Sequence, residues 1–174
     1  MGKRSDFERI PRDFYPTPKK AVRPLARHLP DQFSFVEPCA GDGRLVEHLN
    51  SYGGYCKWAS DIEPQHEFVM KANAFDIEQK AQFTITNPPW DRKILHPMIW
   101  HFSNINPTWL LFDADWIHTK QSNPFLTRLK KIVSIGRVKW IEDSNSVGKD
   151  NCCWYLFDNT DMVKPIEFWG RDDI

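Results

Sequence analysis

The sequence predicts a single α/β domain built around a doubly wound, mostly parallel sheet. Short apolar segments typical of strands alternate with helical segments along most of the chain, and three of the strands end in polar clusters. The chain has 174 residues, which suits one domain, since domains usually have about 100 to 200 residues.

The composition is that of a folded protein with balanced charge. Apolar residues make up 41% and charged residues 26% of the chain, and 23 lysines and arginines balance 23 aspartates and glutamates. This mixture excludes a disordered chain and a uniformly basic surface. Aromatic residues reach 14%, enough for a substantial core with rings left over for flat ligands.

The first half of the chain predicts three strands and one helix. An apolar strand at 33–38 stops at a glycine turn, and the helix at 44–51 that follows places its leucines and valine on one face. Two glycines end that helix, as glycine often does at a helix C-terminus. A second strand comes next at 55–60, and a weaker third strand is expected at 68–71.

The second half predicts four strands and two helices. A strand at 83–86 runs directly into two prolines, which cannot donate hydrogen bonds to a strand ladder. The helix at 94–105 carries Pro97 in its first turn, where a missing N–H costs little. The remaining elements are expected as a strand at 108–112, a short helix at 123–131, and strands at 132–141 and 152–157.

This order of elements predicts a Rossmann-like sheet of seven strands, closed by an antiparallel C-terminal hairpin. In doubly wound sheets, ligands bind beyond the carboxyl ends of the strands. Polar clusters follow three of the predicted strands, at 37–43, 61–63 and 87–90. Their coincidence at strand ends predicts one functional site along that edge of the sheet.

The first cluster is a turn of sequence Glu-Pro-Cys-Ala-Gly-Asp-Gly that starts at Glu37. Gly41 and Gly43 let the backbone approach a ligand closely, although glycines at such a turn are often turn chemistry alone. Val46 occupies the position of the third glycine of the dinucleotide fingerprint, which argues against NAD. The carboxylates of Glu37 and Asp42 would repel a pyrophosphate, so the turn favours a ligand with cationic groups.

Asp61 forms the second cluster, eighteen residues after Gly43, at the end of the predicted second strand. An acidic side chain at this place can accept two hydrogen bonds from a ribose diol. An isolated Asp-Ile-Glu-Pro segment would be read as a simple turn. Together with the glycine turn, it predicts a site for a nucleoside with a positive, non-phosphate tail, a description that S-adenosylmethionine fits.

The third cluster, Asn87-Pro88-Pro89-Trp90, is the most specific signal in the chain. The exocyclic amine of adenine is a poor nucleophile because its lone pair is delocalised into the ring. The side-chain carbonyl of Asn87 and the backbone carbonyl of Pro88 can accept its hydrogens, while the prolines supply no competing N–H. Trp90 offers a flat face for base stacking. The alternative interpretation is a strand terminator followed by a core tryptophan.

With these motifs in family order, the chain resembles the class I S-adenosylmethionine-dependent methyltransferases that methylate amines, such as the DNA adenine-N6 enzymes. Their acidic-Pro-x-x-Gly-x-Gly motif and their Asn/Asp-Pro-Pro-aromatic motif match 37–43 and 87–90, and 14–18 resembles their N-terminal cofactor motif. The resemblance covers residues 12–157. It implies S-adenosylmethionine as cofactor, the N6 amine of adenine in DNA as acceptor, and catalytic roles for residues 87–90.

The resemblance also implies a cofactor site. The glycine turn lines the methionine end, the aspartate after the second strand holds the ribose, and Thr17 closes over the cofactor with Phe14 or Tyr15. Asn73 takes the position of the family's adenine-contacting acidic residue, with Asp76 as a competitor. The implied cofactor-binding residues are Tyr15, Thr17, Glu37, Cys39, Gly41, Gly43, Asp61, Ile62, Asn73, Ala74, Phe75 and Asn87.

The domain organisation follows from the same resemblance. It implies a basic N-terminal arm at 1–13 and a methyltransferase domain at 14–174 without a separate target-recognition domain, as in small phage-encoded members. Cytosine-C5 methylation is excluded because it needs a nucleophilic thiolate, and Cys39 lies in the glycine turn where the cofactor tail is expected. The scattered histidines and cysteines predict no metal site.

The location and partners can also be predicted. The chain has no secretory signal or apolar run of membrane-spanning length, so a cytoplasmic protein with reduced thiols is expected, in the host cytoplasm if phage-encoded. Two segments carry excess positive charge, +5 over 1–27 and +6 over 119–139. Single lysines usually mark solvated surface, but two such clusters predict phosphate contacts with nucleic acid, DNA more than RNA.

Several alternatives share these motifs. An RNA amine, the N4 amine of cytosine and a protein glutamine amide are all sp² amines that the Asn-Pro-Pro-aromatic segment can hold. A non-catalytic module that keeps the fold and binds cofactor, nucleic acid or a partner enzyme is the alternative from another class. The oligomeric state is left open.

Overall fold

The computed structural model describes residues 14–141, 148–160 and 165–171. Within these residues eight strands form one sheet. The strands are β1 (Phe33–Glu37), β2 (Gly54–Asp61), β3 (Met70–Lys71), β4 (Phe83–Thr86), β5 (Thr108–Asp113), β6 (Leu129–Arg137), β7 (Asn151–Phe157) and β8 (Glu167–Trp169).

The sheet has the order β3-β2-β1-β4-β5-β7-β6-β8. Strands β1 to β5 pair in parallel, whereas β7 runs antiparallel to both β5 and β6. The predicted Rossmann-like, mostly parallel sheet with an antiparallel C-terminal hairpin is therefore confirmed. The predicted count of seven strands is too low by one, because the short strand β8 pairs in parallel with β6.

Helices cover both faces of this sheet. Helices α1 (Lys19–Ala26) and α2 (Arg44–Asn50) share one core, and α3 (Arg92–Ile105) packs into a second core on the opposite face. Asp91 caps α3, since its side chain accepts a hydrogen bond from the backbone N–H of Lys93 at 3.0 Å. No helix in the described ranges is long and apolar enough to cross a membrane.

The central strand β5 shows how the two cores are divided. Trp109 and Leu111 belong to the core that α1 and α2 cover, and Leu110 and Phe112 belong to the core of α3. All four side chains are at most 1% exposed. Burial of each contributes about 1.5–3 kcal/mol. The strand that neighbours β4 is thus firmly held, which fixes the edge where the polar clusters emerge.

The ends of predicted strands differ from the structure by a few residues, as in β6, and one helix was predicted wrongly and another was missed. The helix expected at 123–131 is wrong: a 3-10 helix occupies Lys120–Phe125, and β6 starts at Leu129, because its backbone pairs with β7. The pattern also did not predict α1, which carries Pro24 in its interior and nevertheless buries Leu25 completely. In both places sheet pairing or core packing overrides local preference.

The β2–β3 and β3–β4 connections contain no α-helix, and a single 3-10 turn at Ala74–Asp76 lies in the second of them. Large apolar side chains at this edge of the sheet are therefore partly exposed to solvent. Met70 is 53% exposed and Phe68 is 40% exposed. The short connections bring residues 62–69 back against the glycine turn, next to the candidate site.

Candidate functional site

The three polar clusters emerge from adjacent strands. Strand β1 lies between β2 and β4 and pairs in parallel with both. The carboxyl ends of these strands carry Glu37, Asp61 and Asn87 in turn. The sheet order thus brings the predicted glycine turn, ribose-binding aspartate and Asn-Pro-Pro-Trp segment to one edge.

Positive φ angles shape the glycine turn. Gly41 has φ 53° and Gly43, which precedes α2, has φ 80°, a region that side chains other than glycine rarely adopt. A Cβ added at Gly41 would lie 2.4 Å from Phe14, and one at Gly43 would lie 2.2 Å from Phe68. Two aromatic rings therefore rest directly on the turn, and both positions require glycine.

Asp61 ties the end of β2 to this turn. One carboxylate oxygen accepts from the backbone N–H of Gly41 at 2.9 Å, and the other accepts from that of Glu63 at 2.8 Å. The backbone N–H of Gln65 adds a bond of 2.9 Å to the carbonyl of Gly41. Each carboxylate oxygen has a second lone pair. Asp61 thus holds the turn in shape and keeps acceptor capacity for ligand hydroxyls.

Replacing Asp61 by alanine is expected to lower both stability and cofactor affinity, because it removes the acceptor of two backbone N–H groups. Loss of stability of about 1–3 kcal/mol is expected. Asp61→Asn keeps one carbonyl oxygen and should lose less of each. Thermal unfolding and calorimetric titration with S-adenosylmethionine measure the two effects, and unchanged affinity in Asp61→Ala would contradict the assignment.

Glu37 is completely buried at the end of β1. One carboxyl oxygen accepts from the backbone N–H of Cys39 at 3.2 Å, and the other has no hydrogen-bond partner in the described part of the chain. The hydroxyl of Ser60, at the end of β2, is also buried and unpartnered there, and the buried hydroxyl of Thr86, at the end of β4, lies beside Glu37. A buried polar group without a hydrogen-bond partner lowers the stability of the folded protein. These buried polar groups lie together behind the carboxyl ends of β1, β2 and β4.

Burial raises the pKa of Glu37 to about 8, because a buried carboxylate loses its hydration. A cationic group next to it would restore the charged form. Burial also raises the pKa of the Cys39 thiol well above its usual range. A thiol held protonated is a poor nucleophile, in keeping with the exclusion of cytosine-C5 chemistry.

The residues expected around the cofactor adenine lie near the β3 end of the sheet. The side chain of Asn73 accepts from the backbone N–H of Phe75 at 3.1 Å and so caps the 3-10 turn. Ala74 is buried, whereas Phe75 is 38% and Ile62 57% exposed. The capping role fixes the Asn73 side chain in place. Its contact with adenine, and that of the exposed Asp76, stays a prediction.

Asn87 lies half-buried after β4, with a side-chain amide of defined orientation. Its Nδ2 donates to the backbone carbonyl of Tyr15 and to the hydroxyl of Thr17, each at 3.2 Å, and its Oδ1 accepts from Trp90 Nε1 at 3.3 Å. A backbone carbonyl only accepts and an indole N–H only donates, so the amide cannot be flipped. The N-terminal segment is thereby anchored to the Asn-Pro-Pro-Trp segment.

The indole N–H of Trp90 fixes the orientation of its ring. Its Nε1 also donates to the backbone carbonyl of Leu111 in β5 at 3.1 Å, and its ring packs against both cores. Pro88 is buried and Pro89 half-buried. Trp90 is thus part core residue, as the alternative interpretation held, and its half-buried ring stays adjacent to Asn87.

The structure places further residues at this edge to which the sequence assigned no site role. Phe68 covers Gly43, Trp140 packs edge-on against Trp90 with ring centroids 5.8 Å apart, and Arg92 pairs with Asp113 at the end of β5. Phe68 and Trp140 were expected inside strands at 68–71 and 132–141, but β3 begins at Met70 and β6 ends at Arg137, so both lie in loops. Arg92 lies two residues after the Asn-Pro-Pro-Trp motif and Asp113 directly follows a predicted strand, and these positions were the available signal.

Comparisons with known proteins support the fold. No protein-family model matches the chain, and no curated protein matches its sequence. A solved structure from a type I restriction–modification system aligns with a TM-score of 0.60 and 14% identity, over 92% of this chain and 44% of its own. A proposed class I S-adenosylmethionine-dependent methyltransferase from Listeria monocytogenes aligns with a TM-score of 0.59 and 10% identity, over 88% and 64%.

A third structure, named as a proposed RNA methyltransferase from Pyrococcus horikoshii, aligns with a TM-score of 0.61 and 13% identity, over 83% of this chain and 86% of its own. The chain has the S-adenosylmethionine-dependent methyltransferase fold. It spans less than two thirds of the length of the first two structures. The cofactor of this fold, S-adenosylmethionine, fits the glycine turn and the unpartnered carboxyl oxygen of Glu37.

No cluster of three or more metal-ligating side chains occurs in the residues that the structure describes. The basic arm predicted at 1–13 lies outside those residues, as does the end of the predicted 14–174 domain after 171.

Proposed function

We propose that the chain transfers the methyl group of S-adenosylmethionine to the exocyclic N6 amine of adenine in DNA. The observation that carries this proposal is the fixed amide of Asn87, which emerges from β4 next to the glycine turn of β1. An acceptor oxygen for an sp² amine thus lies beside a site suited to a cationic nucleoside cofactor.

The bound cofactor supplies an activated methyl group on its sulfonium. The residues of the chain contribute orientation and polarisation. The carboxylate of Glu37 would accept hydrogen bonds from the cofactor ammonium. The carboxylate of Asp61 would accept hydrogen bonds from the ribose hydroxyls. Asn87 Oδ1 and the Pro88 carbonyl accept hydrogen bonds from the two N–H groups of the target amine. These bonds favour a tetrahedral nitrogen, whose lone pair is less delocalised into the ring and points at the methyl group. As the nitrogen–carbon bond forms, the carbon–sulfur bond would break and leave a neutral thioether, and the methylated amine would then release one proton to solvent.

The second basic segment, 119–139, divides into two groups. Arg128, Lys130 and Lys131 are engaged with the protein: they contact Asn104, the carbonyl of Thr127 and Glu167, respectively. The remaining basic side chains, Lys120, Arg137 and Lys139, are exposed. We infer that phosphate contacts come from these three rather than from the whole segment.

Exchange of Arg137 and Lys139 for alanine is expected to weaken DNA binding most at low salt. For each phosphate that is no longer neutralised, the slope of log affinity against log salt should become shallower by about 1. Fluorescence anisotropy with an oligonucleotide at several salt concentrations measures this slope. Lys130→Ala is the control, since its ammonium already bonds to two carbonyls of the protein, and an equal effect of both changes would contradict the assignment.

An amine in RNA is the second candidate acceptor. The chain covers 86% of the Pyrococcus horikoshii structure named as a proposed RNA methyltransferase, so the two are of similar size. Incubation with S-adenosylmethionine labelled in the methyl group, and DNA, RNA or protein in separate reactions, distinguishes the candidates. Label in DNA supports the proposal. Label in RNA or protein alone replaces it, and label nowhere indicates a non-catalytic module.

A further inference from the structure

Three aromatic side chains from separate segments meet beside Asn87. The carbonyl of Tyr15 accepts a hydrogen bond from its amide, and the indole of Trp90 donates one to it. The ring of Trp140 bridges these two neighbours, with centroids 6.2 Å from that of Tyr15 and 5.8 Å from that of Trp90. Trp140 is therefore part of the environment of the proposed acceptor oxygen.

Trp140 follows β6 and packs closely against Gly148. The backbone N–H of Gly148 donates to the carbonyl of Val138 at 2.9 Å, two residues before Trp140. A Cβ at Gly148 would lie only 3.2 Å from the indole of Trp140, so glycine leaves room for the ring. Trp140 thus lies half-buried just beyond the C-terminal end of β6.

The rings beside Asn87 meet at steep angles. The planes of Trp90 and Trp140 meet at 79°, and those of Tyr15 and Trp140 at 55°. Neither of these partners lies flat on Trp140. Trp90 cannot rotate toward it, because its Nε1 is bonded to Asn87 and Leu111. Two nearly perpendicular indoles form a corner, in which a flat ring stacked on one indole meets the other by its edge.

We propose that Trp140 and Trp90 form two walls of the acceptor slot, and that Trp140 positions the target base against Asn87. This inference rests on the proposed function and names a residue that determines its specificity. Two indole walls favour a planar purine over a narrower pyrimidine or an amide side chain, because stacking increases with the area of the ring.

Kinetics of the full-length chain with an adenine-containing DNA oligonucleotide test this assignment. Trp140→Ala is expected to raise the KM for DNA about five- to 150-fold, the range that loss of one base–aromatic stack produces. Trp140→Phe should raise it less. The affinity for S-adenosylmethionine, measured by calorimetry, should stay unchanged in both. Trp169→Ala is the matched control, since Trp169 is 51% exposed in β8.

The outcomes separate this inference from the proposed function. Wild-type methylation of DNA with an unchanged KM in the Trp140 variants overturns the slot and leaves the function standing. No methylation of nucleic acid by the wild type overturns both. Should Trp140→Ala fail to fold, Trp140→Phe decides: a raised KM at wild-type cofactor affinity supports the slot, and an unchanged KM overturns it.

Discussion

Replacing Asn87 by alanine is expected to lower the kcat of methyl transfer by about 100- to 1000-fold, the usual effect of removing one group that stabilises a transition state. The reason is that Oδ1 accepts a hydrogen bond from the target amine. The N–H groups of that amine become more polar as its nitrogen becomes tetrahedral, so this hydrogen bond is stronger in the transition state. Single-turnover rates at saturating labelled S-adenosylmethionine measure the loss. Asn87→Asp keeps an acceptor oxygen but loses the hydrogen bond that Nδ2 donates to the carbonyl of Tyr15. It should therefore retain more activity than the alanine variant and less than the wild type.

Thr17→Val is the matched control for this prediction. It removes one acceptor of Asn87 Nδ2, 3.2 Å away, and leaves Oδ1 untouched. A smaller loss of kcat than in Asn87→Ala is therefore expected. Because Thr17 is also a proposed cofactor-binding residue, both variants are compared at saturating S-adenosylmethionine. An equal loss there would show that Asn87 acts only as an anchor for the N-terminal segment, and retention of more than a tenth of kcat in Asn87→Ala would contradict its catalytic role.

Replacing Glu37 by glutamine is expected to have two opposite effects. The cofactor ammonium loses a charged partner, so the affinity for S-adenosylmethionine should fall about ten- to 150-fold, as expected for a hydrogen bond to a charged group. The free protein should become more stable at pH 8.5. The exposed Glu47 on α2 provides the control Glu47→Gln, in which neither effect is expected.

The stability effect follows from the raised pKa of Glu37. The folded protein holds this proton up to about pH 8, whereas an ordinary glutamate releases it near 4.5. Between these values the folded state binds more protons than the unfolded state, so the free energy of unfolding falls as the pH rises. Thermal unfolding of wild type and Glu37→Gln at pH 5 and pH 8.5 measures the difference. A constant difference across this range would contradict the assignment.

The same titration couples cofactor affinity to pH. A cation beside Glu37 stabilises its carboxylate and lowers its pKa, so binding releases a proton below about pH 8. Affinity should therefore weaken by up to about tenfold for each pH unit below 8. The ammonium of the cofactor titrates as well, and comparison with Glu37→Gln isolates the contribution of the protein.

Much of the fold could be predicted because local runs of apolar residues indicate which segments are buried. Four consecutive apolar residues in β5, Trp109 to Phe112, indicate a strand buried on both faces, and the structure divides them between two cores. The carboxyl ends of β1, β2 and β4 could be located because glycine, aspartate and proline interrupt the apolar runs there. Strand order then brings these ends together without further information.

The remaining features depend on contacts between distant segments. The bonds that orient the amide of Asn87 come from Tyr15 and Thr17, about seventy residues earlier in the chain. Trp140 reaches Trp90 from the loop after β6. The start of β6 at Leu129 depends on pairing with Phe157. None of these contacts has a local pattern, so the sequence alone could not show them.

Nucleoside mass spectrometry tests the central claim most directly. DNA incubated with the chain and S-adenosylmethionine labelled in its methyl group is digested to nucleosides and analysed. The proposed function predicts labelled N6-methyldeoxyadenosine with the wild type, and a greatly reduced yield with Asn87→Ala. Labelled N4-methyldeoxycytidine in its place, or label in RNA or protein while DNA stays unmethylated, would contradict it.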